Sequence, residues 1–239
     1  MRARPATALV AALLTAALLA APALAGRGDP HRAIRAADQA KARSMLLRGS
    51  DLVAGFRSSP AKDEGSDPYC RALDESYLTL TGDAKSPDFT AGNTEVSSTA
   101  QIYRTVAQAD ASWRRGTSAA GVRCLRRGLR IVLRSAKARL ISVRKLSFPR
   151  LGADKAVEFR AEAQAGKVRV HFDFVVLQRL RAQAGLVVSS DARLPRSQSV
   201  ALAAAIAQRM RRALADEVPQ AQPAALAGPP SPGVMIPVS

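Results

Sequence analysis

The chain has 239 residues, with 36 Lys and Arg against 19 Asp and Glu, a formal net charge of +17 and a hydrophobic share of 47%. Two Cys and two distant His, His31 and His171, are too few for a Cys/His zinc site, and an aromatic content of 4% leaves little to stack on nucleic-acid bases. The length suits one domain around a single core.

Arg2 and Arg4 precede an apolar run from Ala8 to Leu19, and Ala23-Leu24-Ala25 precedes Gly26, which is the layout of an export signal with a small-residue cleavage site. A spanning anchor needs about 20 apolar residues. This run is marginal in length and mostly Ala, so the expectation is cleavage, with no stable membrane anchor left behind. No Cys lies beside the site to carry a lipid. The domain plan is therefore a signal peptide over 1–25, one α+β domain over 26–217, and a disordered Pro/Ala-rich tail over 218–239. Removing 1–25 takes away two Arg and no acid and leaves a net charge of +15. The basic residues, 29 Arg and 7 Lys, are spread along the chain. Export and the scarcity of aromatics argue against a nucleic-acid partner, while such a surface is expected to adhere to anionic envelope polymers or lipids. Cys70 and Cys124, an even pair in an exported chain, are expected to form a disulfide.

In chain order, residues 32–48 read as a helix with Ile34, Ala37, Met45 and Leu46 on a weakly apolar face, stopped by Gly49. Asp51 to Phe56 reads as an extended piece tucking in Leu52 and Phe56, and 58–66 as a loop. Asp67 and Pro68 predict a short helical stretch carrying Cys70. A second loop is expected over 81–89, then a strand over 93–104 with Val96, Ser98, Ala100 and Ile102 on one side. Helices follow over 106–115, where Val106, Ala109 and Trp113 form a stripe, and over 119–135, where Val122, Leu125, Leu129, Val132 and Leu133 recur at helical spacing. Arg123, Arg126, Arg127, Arg130 and Arg134 occupy its other faces, read as solvated.

A strand over 140–148 leads into the most strongly patterned stretch, 147–176, a β-hairpin turning at Gln164-Ala165-Gly166. Its arms alternate apolar and polar residues: Val157, Phe159, Ala161 and Ala163 in the first, Val168, Val170, Phe172, Phe174 and Val176 in the second. For the apolar faces to coincide, paired residue numbers must have an odd sum, so Phe159 opposes Val170, Phe172 or Phe174 and never His171. A short strand at 186–188 and a helix over 197–215, striped by Val200, Ala203, Ala204, Ala207, Met210 and Leu214, complete the domain. That helix is expected to lie on the hairpin's apolar face. Consecutive strands with segregated helices define an α+β class with an antiparallel sheet.

No catalytic set emerges, and none is expected. His171, Asp173 and Ser189 or Ser190 can be drawn as a triad, but no G-x-S-x-G elbow supports it. His171 reads instead as a cross-strand partner of Glu158, Arg160 or Glu162. Glu158 and Glu162 share one strand face, where neighbouring Arg residues predict a salt network and not glycoside chemistry. Phosphate loops and metal-spaced clusters are absent from the sequence, so no cofactor is expected.

The order of features carries a resemblance. After the signal and early helix come Asp51-Leu52-x-x-Gly55-Phe56, the first Cys, a strand, a helix with the second Cys, Phe148-Pro149-x-Leu151-Gly152, the hairpin and a final Ala-rich helix. This resembles exported actinobacterial proteins similar to the extracellular sensor domain of mycobacterial Ser/Thr kinases and to LpqN-type lipoproteins. The resemblance implies a Mog1/PsbP-like fold, a twisted antiparallel sheet packed between helices, with a cleft for a ligand. The kinase sensor domains carry two disulfides where this chain can form one. The functional expectation is a secreted, monomeric, non-enzymatic ligand-binding or sensor-like domain whose partner is a small molecule or envelope component. The alternatives are an Arg-rich adhesion module and, after it, a hydrolase.

Overall fold

The computed structural model describes residues 28–61 and 70–218. The expected export signal, the tail beyond 218 and the Asp67–Pro68 cap lie outside the described residues. Nine strands and four α-helices follow one another: β1 His31–Arg32, α1 Ala36–Met45, β2 Arg57–Ser59, β3 Thr79–Lys85, β4 Asp88–Ala91, β5 Thr94–Tyr103, α2 Val106–Thr117, α3 Ala119–Ser135, β6 Ala138–Ser147, β7 Lys155–Ala165, β8 Val168–Arg179, β9 Ala182–Ser190 and α4 Arg196–Ala213. The sheet order is β1-β3-β5-β9-β8-β7-β6, with β4 on the first half of β5 and β2 beside β4. Among the described residues only the β1–β3 pair is parallel, and the class is α+β.

Helices cover both faces. On one, α1 and α4 bring Ala42, Met45, Ile206, Ala207 and Met210 onto Val96, Ile102, Leu177, Leu186 and Val188. On the other, α3 lays Leu129 and Leu133 on Val143, Phe159, Ala161, Phe172 and Phe174. The two helices α2 and α3 have side-chain caps: Thr105 Oγ1 accepts from Gln108 N at 3.2 Å and Ser118 Oγ from Gly121 N at 3.0 Å. Each cap satisfies a first-turn amide that the helix itself leaves open.

The hairpin obeys the odd-sum rule. Phe159 pairs with Phe174 and Glu162 with His171, and the turn at Gly166 takes φ +58°, the left-handed region where a Cβ is costly. Its apolar face, however, is covered by α3, not by the last helix. The reason is that β8 and β9 are buried on both sides. Val175, where the alternation fails, and Leu177 lie with α4, so the last helix takes the opposite face of the sheet.

Three further expectations are corrected. The 81–89 stretch is not a loop but β3 and β4. Gly82 looks like a turn residue, yet it is there for contact: a Cβ would sit 2.5 Å from Asp38 O of α1. The strand at 186–188 is the longer, central β9, masked by small residues, Ala182, Ala184 and Gly185, that suit a strand squeezed between neighbours. The inner face of α1 is Asp38, Ala42 and Met45, while Ile34 is 43% exposed.

Candidate functional site: a buried polar lane under α2

Strand β5 has two buried faces of opposite character. Val96, Ala100 and Ile102 join the core beneath α1 and α4. The alternate side chains, Glu95, Ser97, Thr99, Gln101 and Tyr103, are polar at every position, and all five are buried. Alternation on a strand ordinarily puts such a row in water; here it faces the α2 side of the sheet. Gly185 of β9, opposite Thr99, leaves room for it, since a Cβ there would come within 2.8 Å of Thr99 Oγ1.

At its far end the strip meets a second polar row running across the strands. Asp83 pairs with Gln101, Gln101 with Gln183, Gln183 with Gln178 and Gln178 with Lys155. Five neighbouring strands thus present one polar side chain each, and α2 spans the junction. Gln183 Nε2 donates to Ala109 O at 2.7 Å, and Asp110 accepts from both Lys155 Nζ and Gln178 Nε2. The Tyr103 hydroxyl lies 2.8 Å from Ser112 Oγ, 3.2 Å from Glu75 Oε2 and 3.3 Å from Gln101 Oε1. Ser112 in turn donates to Gln183 Oε1 at 3.4 Å. Gln178 is 1% exposed, and its Oε1 has no hydrogen-bond partner among the described residues. A buried acceptor in that state costs on the order of 1–3 kcal/mol.

Burial raises the Glu75 carboxyl above its usual range, against the opposing pull of the Ser112 and Tyr103 hydrogen bonds, and drives the Tyr103 phenol well above its own. Asp83 is raised by burial too, partly offset by Arg32, whose Nη1 lies 2.7 Å away. The carboxyl at Asp110 is lowered, chiefly by Lys155. The lane thus offers amides and hydroxyls along its length, with carboxyls at its margins. Trp113 is partly buried against the α3 cluster, with the Lys155 ammonium 6.0 Å from its ring centroid.

The residues weighed from sequence lie elsewhere. Cys70 and Cys124 are joined, with Cα atoms 6.0 Å apart, tying the turn at Arg71–Leu73 to α3. His171, Asp173, Glu158 and Glu162 are on the α4 side of the hairpin and form no triad. The His171 Nδ1 atom is buried without a hydrogen-bond partner among the described residues, 3.7 Å from Glu162 Oε1, and burial lowers its pKa. Ser190 Oγ is 3.0 Å from Thr94 Oγ1. Asp173 accepts from Arg160 Nε at 2.7 Å and Ser199 Oγ at 3.3 Å. Glu158 is fully buried, 2.8 Å from Arg160 Nη2 and 3.3 Å from Arg196 Nε. The expected salt network is there, but it is not solvated, because the first turn of α4 covers it. The lane is not among the sites expected from sequence. Its one sequence signal was five consecutive alternate polar positions on β5, which look like a wet face.

No family model matches the chain, and no curated protein matches it. Among solved structures it is similar to the extracellular domain of PknH from Mycobacterium tuberculosis, at 11% identity and a TM-score of 0.45, over 73% of this chain and 96% of that one.

Proposed function

We propose that the chain is an exported, non-enzymatic binding domain of the cell envelope, and that the polar lane under α2 holds its ligand, a neutral, hydroxyl-rich small molecule or glycan. The observation that carries the reading is the buried strip Glu95, Ser97, Thr99, Gln101 and Tyr103, which meets Gln178 with its unmatched acceptor. Folding gains nothing from burying the Gln178 acceptor unmatched, whereas a polyhydroxyl ligand supplies a donor to it and finds amides and hydroxyls along the strip. Neutrality follows from the lining: Lys155 is held by Asp110 and Arg32 by Asp83, and the carboxyls at the margins repel an anion. The signal-like N-terminus and the Cys70–Cys124 bond support an oxidising, extracytoplasmic setting.

Trp113, the single Trp, gives the test. Its fluorescence is titrated with neutral envelope mono- and oligosaccharides, alongside thermal shifts. A saturable change is expected with at least one of them. The Ser97→Ala/Thr99→Val double variant, which removes two hydroxyls at nearly constant shape, is expected to weaken binding about 10–100-fold with the melting temperature little changed. Binding indifferent to that variant, or turnover of a bound compound, overturns the proposal.

A further inference from the structure

The lysines and arginines are spread along the chain, but the acids are not. Residues 111–153 contain twelve Lys and Arg and no Asp or Glu, so this stretch alone supplies +12 of the net +17. It folds as the end of α2, all of α3 and β6, the strand at one end of the sheet order. Elsewhere several bases are matched: Arg32, Lys155, Arg160, Arg181 and Arg209 each meet a carboxylate. On α3, Arg123, Arg127, Arg130 and Arg134 stand at i, i+4, i+7 and i+11, one stripe about 16 Å long. All four are exposed, and none forms an ion pair with a described residue. The helix cannot turn this stripe inward, since the disulfide at Cys124 and the buried Leu129 and Leu133 fix its other side. Arg126 Nη2, on the flank, donates to Val143 O of β6 at 2.7 Å and fastens the helix to the strand.

We propose that the α3–β6 face docks on a membrane surface rich in anionic phospholipid, a function separate from the ligand lane. A surface is favoured over a linear polyanion because Ile131, beside the stripe, and Ile141 on β6 are each 41% exposed. An apolar side chain among guanidinium groups gains free energy where acyl carbon lies beneath phosphate, and gains none on a soluble polymer. Nucleic acid is disfavoured by the lack of any exposed aromatic residue between 111 and 153.

The test measures partition of the full chain onto phosphatidylcholine vesicles with and without 30% phosphatidylglycerol, an amount of about one anionic lipid in three that sets a surface potential of the size basic segments respond to. Any contribution of the N-terminal apolar run is then common to every variant. The anionic lipid should raise binding at least about tenfold at low salt, with the gain shrinking as the Debye length falls. Arg123→Gln/Arg127→Gln/Arg130→Gln/Arg134→Gln should lose about tenfold or more. An equal-charge control, Arg35→Gln/Arg57→Gln/Arg104→Gln/Arg212→Gln, should lose no more than about threefold. Ile131→Ser should weaken vesicle binding about threefold and leave binding to soluble polyphosphate unchanged. Hydrogen exchange on the wild type should show vesicle-induced protection over 119–145, a readout independent of any variant. Equal losses in the two charge variants, no effect of the anionic lipid, or protection outside α3 and β6 overturns the proposal. Tighter binding to polyphosphate than to vesicles, with Ile131→Ser silent in both, assigns the face to a polymer and overturns it as well.

Discussion

Arg181 shows how one side chain can close a fold. It sits in the turn between β8 and β9 and reaches two carboxylates from opposite ends of the chain: Nη2 lies 2.6 Å from Asp38 Oδ1 of α1 and 2.6 Å from Glu217 Oε1 after α4. Nη1 and Nε complete bidentate pairs to the same two groups at 2.8 Å each. The planar fork of guanidinium suits this geometry, which an ammonium cannot reproduce. Hydrogen bonding from Arg181 lowers the Asp38 pKa to about 2. A carboxyl depressed in the folded state contributes stability that is present above its unfolded pKa and is lost as pH falls through the folded one. The contribution is about 2 kcal/mol, present above roughly pH 4 and gone near pH 2. Arg181→Met should therefore cost about 3 kcal/mol at pH 7, since it leaves two carboxylates facing each other in a half-buried site. It should also flatten the acid limb of the stability curve between pH 4 and 2. Urea denaturation at pH 7, 4 and 2.5 reads both effects; a variant with the wild-type acid slope would show that Asp38 owes its depression to something else.

Between elements, two glycines mark where packing is tight and where it is not. Gly82 brings β3 against α1 so closely that an added Cβ would lie 2.5 Å from Asp38 O and 2.7 Å from Asp38 C. Both are backbone atoms, so the helix must move. Gly82→Ala should cost about 3 kcal/mol and disturb the Asp38–Arg181 pair with it. Gly128, inside α3, has nothing within 4 Å of the corresponding position. Gly128→Ala should stabilise by about 0.5–1 kcal/mol, the helix-propensity difference. Thermal melts of the two variants should move in opposite directions; melts moving the same way would refute the close α1–β3 approach. These positions also show why some elements were legible and others were not. The hairpin and α3 declare themselves because each has one apolar face, so period 2 or 3.6 appears in the residues. Strands β3 and β9 are covered on both sides, and about half of their residues are Thr, Ala, Gly and Gln, which blur any period. The lane was hidden for a related reason: polarity says where water is expected, and Gln101 and Thr99 are polar yet buried. Only the register across β3, β5, β9, β8 and β7 brings their partners together.

For the molecule as a whole, the sheet divides two unlike layers. The α1 and α4 side is a continuous apolar core running from Leu46 to Leu214. The other side splits into the α3 cluster over the hairpin, a small group at Leu78, Leu80, Tyr103 and Ala109, and the polar lane between them. A layer with a polar interior contributes less by burial and relies more on covalent restraint. The Cys70–Cys124 bond lies on that side, its ends separated by 54 positions in the chain, and it anchors the segment that leads into β3 to the helix that covers the hairpin. By the chain-entropy estimate such a closure is worth about 4 kcal/mol. Reduction, or Cys70→Ala/Cys124→Ala, should lower unfolding stability by about 3–4 kcal/mol, and the loss should be uneven. Hydrogen exchange should rise first in α3 and across residues 70–80, while α1, α4 and the strands between them keep their protection until global unfolding. Uniform loss of protection would mean that the two layers unfold as one unit, and unchanged stability under reductant would mean that the polar side holds itself together without the bond.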